Sequence, residues 1–236
     1  MQPITYESAV ISGASRGIGA AIAVRLAELG VNSCLLGRDN DALEEVAEQC
    51  RAAGAQADTA AGDVRDESYL KRTCEKAIGR FGGVDILINN AGMAVGGGVT
   101  DADLDAWRGV MDVNLFSTMA LTKHLSVGMI ERKLGAIINI SSISGRHTAA
   151  GNSIYAASKH ALNGFTGCLF EDLREFGIKV SAIMPGFVAT SLTEKLALDD
   201  ANMIQPGDVA DAVEYVLRSS PHSCPSEIVL RPQLRP

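Results

Sequence analysis

Tyr155 and Lys159 lie four residues apart in Tyr155-Ala156-Ala157-Ser158-Lys159, so on a helix a phenol and an ammonium share one face. The pairing suits acid–base chemistry. A free tyrosine titrates near pH 10, and bringing it toward about 7 takes roughly 4 kcal/mol of preferential stabilisation of the phenolate, which adjacent positive charge supplies. A Tyr/Lys pair at this spacing also occurs on ordinary exposed helix faces, so its meaning rests on its surroundings. Upstream, the apolar run Ile137-Ile138-Asn139-Ile140 ends in Ser141-Ser142, where a hydroxyl could hydrogen-bond to a substrate oxygen.

A second group of residues has the chemistry of anion binding. The stretch Ser12-Gly13-Ala14-Ser15-Arg16-Gly17-Ile18-Gly19 follows a predicted strand and opens an amphipathic helix. Free N–H groups and the helix dipole at such a point suit a pyrophosphate, and glycine is needed where a side chain would block the phosphates. Just past the second strand, where an acid would accept from the adenine ribose and a cation would meet a 2'-phosphate, the chain reads Leu35-Leu36-Gly37-Arg38-Asp39. Arg38 and Arg16 are two cations placed for a phosphate, which favours NADP(H). Asp39 admits two readings: a cap, with Asn40, of the following helix, or, after a one-residue shift, a ribose ligand that would restore NAD use.

These residues need elements to hold them. Short β-rich runs at Ala9 to Ser12, Ser33 to Leu36, Asp85 to Asn89, Ala136 to Ile140, Lys179 to Met184 and Glu227 to Leu230 read as strands, with Gln56 to Ala60 a weaker seventh. Helical stretches lie between them near Gly17 to Leu29, Asp41 to Ala53, Glu67 to Gly79, Asp101 to Arg132, Ser153 to Phe176 and Pro206 to Ser219. The alternation predicts an α/β, three-layer, Rossmann-type doubly wound fold with a seven-stranded parallel sheet. Continuous apolar strands such as Ile86-Leu87-Ile88 fit a sheet covered on both faces. Residues 1–236 are expected to form one domain, and each motif falls at a strand's carboxyl end, where such folds bind ligands.

Composition narrows the function. A formal charge of -7 with no basic run argues against nucleic-acid binding, which rests on clustered Lys and Arg. The stretch Met1 to Val10 lacks the pattern of a signal peptide, and no apolar run approaches the roughly 18 residues of a membrane span. Five scattered cysteines without a C-x-x-C pair suit free thiols in a cytoplasmic protein. The four dispersed histidines show no metal-ligand spacing, so no metal is expected.

The glycine turn, with spacing G-x-x-x-G-x-G, resembles the T-G-x-x-x-G-x-G turn of the short-chain dehydrogenase/reductase family, with Ser12 where that family usually has Thr. The resemblance extends through Gly62-Asp63-Val64, Asn89-Asn90-Ala91-Gly92, Met111-Asp112-Val113-Asn114, Ser142, the Y-x-x-x-K motif and Pro185-Gly186-Phe187-Val188-Ala189-Thr190. It covers nearly the whole chain. It implies an NADP(H)-dependent oxidoreductase acting on a small-molecule carbonyl or alcohol, with Asn114, Ser142, Tyr155 and Lys159 catalytic. By the family's pattern the NAD-selecting acid would occupy Gly37, and Arg38 marks NADP. The implied cofactor site comprises Gly13, Ser15, Arg16, Gly17, Ile18, Gly19, Arg38, Asp63, Val64, Asn90, Ala91, Gly92, Tyr155, Lys159, Pro185, Gly186, Val188 and Thr190. Asp63 would hold the adenine amino group, and Thr190 with the Val188 backbone would orient the nicotinamide carboxamide. Tyr155 would exchange a proton with the substrate oxygen that Ser142 polarises, Lys159 would lower the tyrosine pKa, and Asn114 would hold a water in a proton relay. Asn89 could instead stabilise the central sheet.

Substrate walls are expected at Gly92 to Val99, Ile143 to Ile154 and after Thr190. Arg146 and His147 are either anion readers or solvated loop residues. A 3-oxoacyl-[acyl-carrier-protein] reductase is an alternative, which the E-I-x-x-x-P form of the C-terminal stretch weakens. A non-catalytic NADP-binding subunit or sensor is the rival from another class, and it would be expected to lack Tyr155, Lys159 or Ser142. The long helices Asp101 to Arg132 and Ser153 to Phe176 could pack between subunits of a homo-oligomer, tetramer or dimer.

Overall fold

The computed structural model describes residues 3–196 and 198–236; Met1 and Gln2, part of the stretch read for a leader, lie outside the described residues. Strands and helices alternate: β1 (Ser8–Ser12), α1 (Gly17–Glu28), β2 (Asn32–Gly37), α2 (Asn40–Ala52), β3 (Ala57–Ala61), α3 (Glu67–Phe81), β4 (Ile86–Asn89), α4 (Leu104–Met111), α5 (Ser117–Arg132), β5 (Gly135–Ile140), α6 (Ser153–Leu173), β6 (Ile178–Pro185), α7 (Pro206–Leu217) and β7 (Glu227–Leu230). The strands form one parallel sheet of order β3-β2-β1-β4-β5-β6-β7. This is the doubly wound, Rossmann-type architecture that the sequence alternation predicts.

Pleating divides each apolar run between two cores. Ile86 and Ile88 join Ala9, Ile11 and Ile138 on the face covered by α1, α2 and α7, whereas Leu87 joins Val10, Ile137 and Val180 beneath α3, α5 and α6. Such strands cannot alternate apolar with polar, because both faces are dry. Successive strands step outward in opposite directions from β1 and β4, which pair with Ile11 opposite Ile88. The crevice beyond their carboxyl ends is the switch point where this architecture takes ligands.

Helix starts differ in a way that bears on function. Asp39, Asp66 and Asp103 cap α2, α3 and α4 with their carboxylates, so Asp39 is a helix cap whose side chain accepts from the Ala42 N–H at 3.2 Å. By contrast, α1 begins at Arg16 with no side-chain cap. Its first N–H groups are left for another acceptor.

The stretch predicted as one helix from Asp101 to Arg132 is broken. A 3₁₀ turn covers Val99–Asp101, α4 follows, and a π-helical turn at Asp112–Phe116 joins α4 to α5. Within this turn Asn114 and Leu115 are buried, Asn114 following buried Val110 by four residues. The wider turn aims Asn114 inward, and π turns often occur at functional sites.

Candidate functional site

The glycine turn between β1 and α1 is held from below by the β4 end. The Ser12 hydroxyl accepts the N–H groups of Asn90 and Ala91, both at 3.0 Å. Asn90 Nδ2 donates to the carbonyls of Ser12 (3.0 Å) and Gly13 (2.9 Å). Asn90 and Ala91 therefore brace the turn. Glycine is required by contact, since a Cβ on Gly13 would lie 2.9 Å from Ala91 Cα and one on Gly19 2.5 Å from Asn90 Nδ2. Gly17 has φ +59°, and a Cβ there would reach to 3.1 Å from Thr190 Cγ2. Turn and post-β6 segment thus face each other across a narrow slot. Ser15, Gly17 and Ile18 are partly exposed along it and Arg16 is exposed.

Farther along the edge, Gly37 packs against Leu43 and Ser15, leaving Arg38 exposed just beyond β2. Asp63 follows β3, and Val64 beside it is buried in the core beneath α3. The Asp63 carboxylate is taken up by Arg65, whose Nε lies 3.0 Å from both oxygens and whose backbone N–H donates at 2.9 Å. This guanidinium, with a smaller contribution from Arg38, holds the Asp63 carboxyl below its ordinary value. Arg65 was not singled out in the sequence, although the D-x-R spacing is that of a local Asx turn.

These features fit a dinucleotide phosphate: an uncapped helix start, a slot that a Cβ on Gly17 would fill, and exposed Arg16 and Arg38 at its adenosine end. Pro185 ends β6, and Gly186 continues the pairing by donating to the Leu230 carbonyl at 2.8 Å. Val188 then bridges to Ile204, and its carbonyl accepts the Thr193 hydroxyl at 2.6 Å. Thr190 is fixed by the same Thr193, a residue that sequence reading passed over.

The catalytic candidates converge at the ends of β4 and β5. Tyr155 and Lys159 come from α6, with the ammonium 5.8 Å from the tyrosine ring centre. Lys159 is buried and donates to the Ile140 carbonyl at 2.9 Å. Gly92 borders it, its Cβ direction meeting Asn114 Oδ1 at 3.6 Å and Lys159 Nζ at 3.9 Å. Ser142 is buried and close enough to Tyr155 to oppose the rise of its pKa; its hydroxyl accepts the Ser144 N–H at 3.1 Å, which fixes the turn.

One expectation changes. Burial pushes the Tyr155 phenol above its ordinary value, and the opposing pull comes from Ser142. Lys159 is itself lowered to about 8 by burial. The lowering of the Tyr155 pKa expected from Lys159 is therefore not a property of the protein by itself. The side chain of Asn114, in turn, is spent on protein: Oδ1 accepts the Met93 N–H at 2.8 Å, and Nδ2 donates to the Met93 carbonyl and Ser158 Oγ, both at 3.0 Å. It ties the loop after β4 to α6. Asn89 belongs to the sheet interior, donating to Asn139, which donates to Thr166.

Arg146 is paired with Glu227 on β7, and His147 is exposed. Among the described residues no cluster of His, Cys, Asp and Glu could hold a metal ion, and no helix is long and apolar enough to cross a membrane. A groove of about 380 Å³ lies beside the cleft, lined by residues of α4 and the π turn together with Ile154.

Fold and site together define a Rossmann-type protein in which Ser142, after β5, lies near Tyr155 and Lys159 of α6. The sequence matches the short chain dehydrogenase family over residues 7–201. An uncharacterized oxidoreductase of Staphylococcus aureus (strain MRSA252) is 37% identical over 232 residues, covering 98% of this chain and 100% of that one. A counterpart in Staphylococcus saprophyticus is 36% identical over 225 residues, with coverage of 95% and 96%. Among solved structures, a metagenomic short-chain oxidoreductase in complex with NADP is similar with a TM-score of 0.85 and 34% identity, covering 97% of this chain and 98% of that one. A short-chain type dehydrogenase/reductase from Mycobacterium marinum gives 0.88 and 28%, with coverage of 98% and 95%. The chain belongs to the short-chain dehydrogenase family and is an oxidoreductase.

Proposed function

We propose that the protein is an NADP(H)-dependent oxidoreductase that interconverts a carbonyl and an alcohol, using residues 1–236 as one catalytic domain. The observation that carries this reading is the meeting of Ser142, Tyr155 and buried Lys159 beside the slot between Gly17 and Thr190. Bound there, NADP(H) supplies or accepts the hydride. The α1 N–H groups and the glycine turn would hold its pyrophosphate, Arg16 and Arg38 its 2'-phosphate, and Asp63 its adenine. Pro185, Gly186, Val188 and Thr190 would border the nicotinamide end.

Ser142 and Tyr155 both present hydroxyls to the substrate oxygen. Because burial holds the phenol protonated, Tyr155 is poised as the acid that donates to a developing alkoxide. A positioned acid of this kind contributes roughly 10² to 10⁴ in rate. Lys159, fixed by the Ile140 carbonyl, places its charge 5.8 Å from the tyrosine ring centre and would bind the nicotinamide ribose. Asn114 fixes the loop at Met93 that borders the substrate.

NADP(H) is favoured over NAD(H) by Arg38 beside a neutral Gly37, and by the use of Asp39 as a helix cap. Carbonyl-dependent oxidation of NADPH and NADH, followed by absorbance, tests this. Turnover at least tenfold more efficient with NADPH is expected, and a preference for NADH would overturn the cofactor assignment.

We further place the protein in the cytoplasm as a homo-oligomer, dimer or tetramer. Exposed Phe116 and Val127 and the open positions of Gly164 and Gly167 on α6 support packing of these helices between subunits. Sedimentation should give a multiple of 24.8 kDa, and a monomer at micromolar concentration would contradict it.

A further inference from the structure

Three segments border the cleft: residues 92–108 after β4, 143–154 after β5, and 187–196 with 198–200 after β6. Their large side chains near the reacting groups are apolar. Met93 is tied to Asn114, Ile143 lies beside Gly186, and Ile154 immediately precedes Tyr155. Phe187, Leu192 and Leu196 follow within the post-β6 segment and are 41%, 50% and 52% exposed, a concentration of exposed apolar surface that marks a contact site for an apolar ligand.

Charge on the same segments runs the other way from an anion site. Asp101, Asp103, Asp105, Glu194, Asp199 and Asp200 are all exposed there, against Arg108, Arg146 and Lys195 in the sequence. Arg108 is paired with Asp105 at 2.6 Å. Arg146, the cation nearest Ser142 in sequence, is drawn to Glu227. That residue sits opposite Ala182, three residues before the Pro185–Leu230 pair at the strand ends. Three residues of strand span about 10 Å, so Glu227 holds the guanidinium back along the sheet edge, away from the mouth. A carboxylate entering the cleft would lose water without gaining a partner, which is costly.

We propose that the substrate is an electrically neutral, apolar ketone or aldehyde that arrives free in solution, not a carboxylate and not an acyl group carried on an acidic protein. The proposal rests on the carbonyl-oxidoreductase reading above and specifies the substrate class of that site.

The test is a matched pair, ethyl 3-oxohexanoate and 3-oxohexanoate, assayed with NADPH at 20 mM and 300 mM salt, in the intact protein and in Arg146→Gln. The ester is expected to have a kcat/KM at least tenfold above the acid. Added salt should narrow the gap by screening the acidic rim. Arg146→Gln should leave both substrates unchanged. Equal or better turnover of the acid, or loss of acid turnover in Arg146→Gln, would overturn the proposal while leaving the oxidoreductase reading in place. Failure of both substrates to turn over while NADPH still binds would overturn both.

Discussion

The two ends of the cleft are built by different means. At the proposed nucleotide end the determinants are backbone: the turn from Gly13 to Gly19 is pinned by Ser12 and Asn90, Gly13 and Gly19 are fixed by contacts under 3 Å, and Gly17 by its positive φ. At the proposed substrate end they are side chains on loops, Met93, Phe187 and Leu192 among them, and Ile154 at the start of α6, with few hydrogen bonds dictating their identity. The backbone end recognises a ligand common to many enzymes, so its sequence is narrowly constrained. On the proposed reading the side-chain end selects the substrate, and many residues would satisfy its geometry.

This contrast can be broken by substitution. The largest effect short of the proton donor is expected at Gly19→Ala, whose Cβ would collide with the Gly13 carbonyl and Asn90. NADPH affinity measured by fluorescence titration should fall about a hundredfold or more with the circular dichroism spectrum retained. Arg38→Gln should weaken NADPH about tenfold and leave NADH nearly unchanged, since only the former carries the phosphate that a guanidinium grips; equal losses would show that Arg38 acts on the fold. At the other end, Phe187→Ala should raise KM for an apolar ester several-fold with NADPH affinity unchanged, and a matching loss of cofactor affinity would erase the proposed division.

A smaller effect concerns stability. Lys159 is lowered from 10.5 to about 8 by burial. Between those values the unfolded chain binds the proton and the folded chain has released it, so stability rises with pH across that window; below about 8 the folded state bears the full cost of a buried ammonium. Lys159→Met removes that cost along with the charge that the proposed mechanism uses. Its Tm at pH 7 should exceed the parent's by a few degrees, with the gap closing toward pH 10. A lower Tm at pH 7 would mean that the bond to the Ile140 carbonyl outweighs desolvation.

Strand positions were legible within one or two residues because continuous apolar runs bounded by glycine and polar residues have few other uses. The glycine turn was legible for the same reason that it is rigid. The break between α4 and α5 was not: buried Val110, Asn114, Thr118 and Leu121 run through the π turn at ordinary α-helical spacing, so the pattern carries no mark of it. The commitments of Asp63 to Arg65 and of Arg146 to Glu227 were also hidden. The first is an ordinary local turn, and the second joins residues 81 apart. Tyr155, Lys159 and Ser142 were visible as types and spacing, but the balance between burial and hydrogen bonding that sets their protonation required three elements brought together.

The central claim is that Tyr155 carries the proton at a site the cofactor occupies independently. Tyr155→Phe, titrated with NADPH and assayed with the carbonyl substrate in parallel, tests it most directly. NADPH affinity within about threefold of the parent and a kcat lowered by about 10² to 10⁴ are expected. Substantial turnover without the phenol would contradict the account.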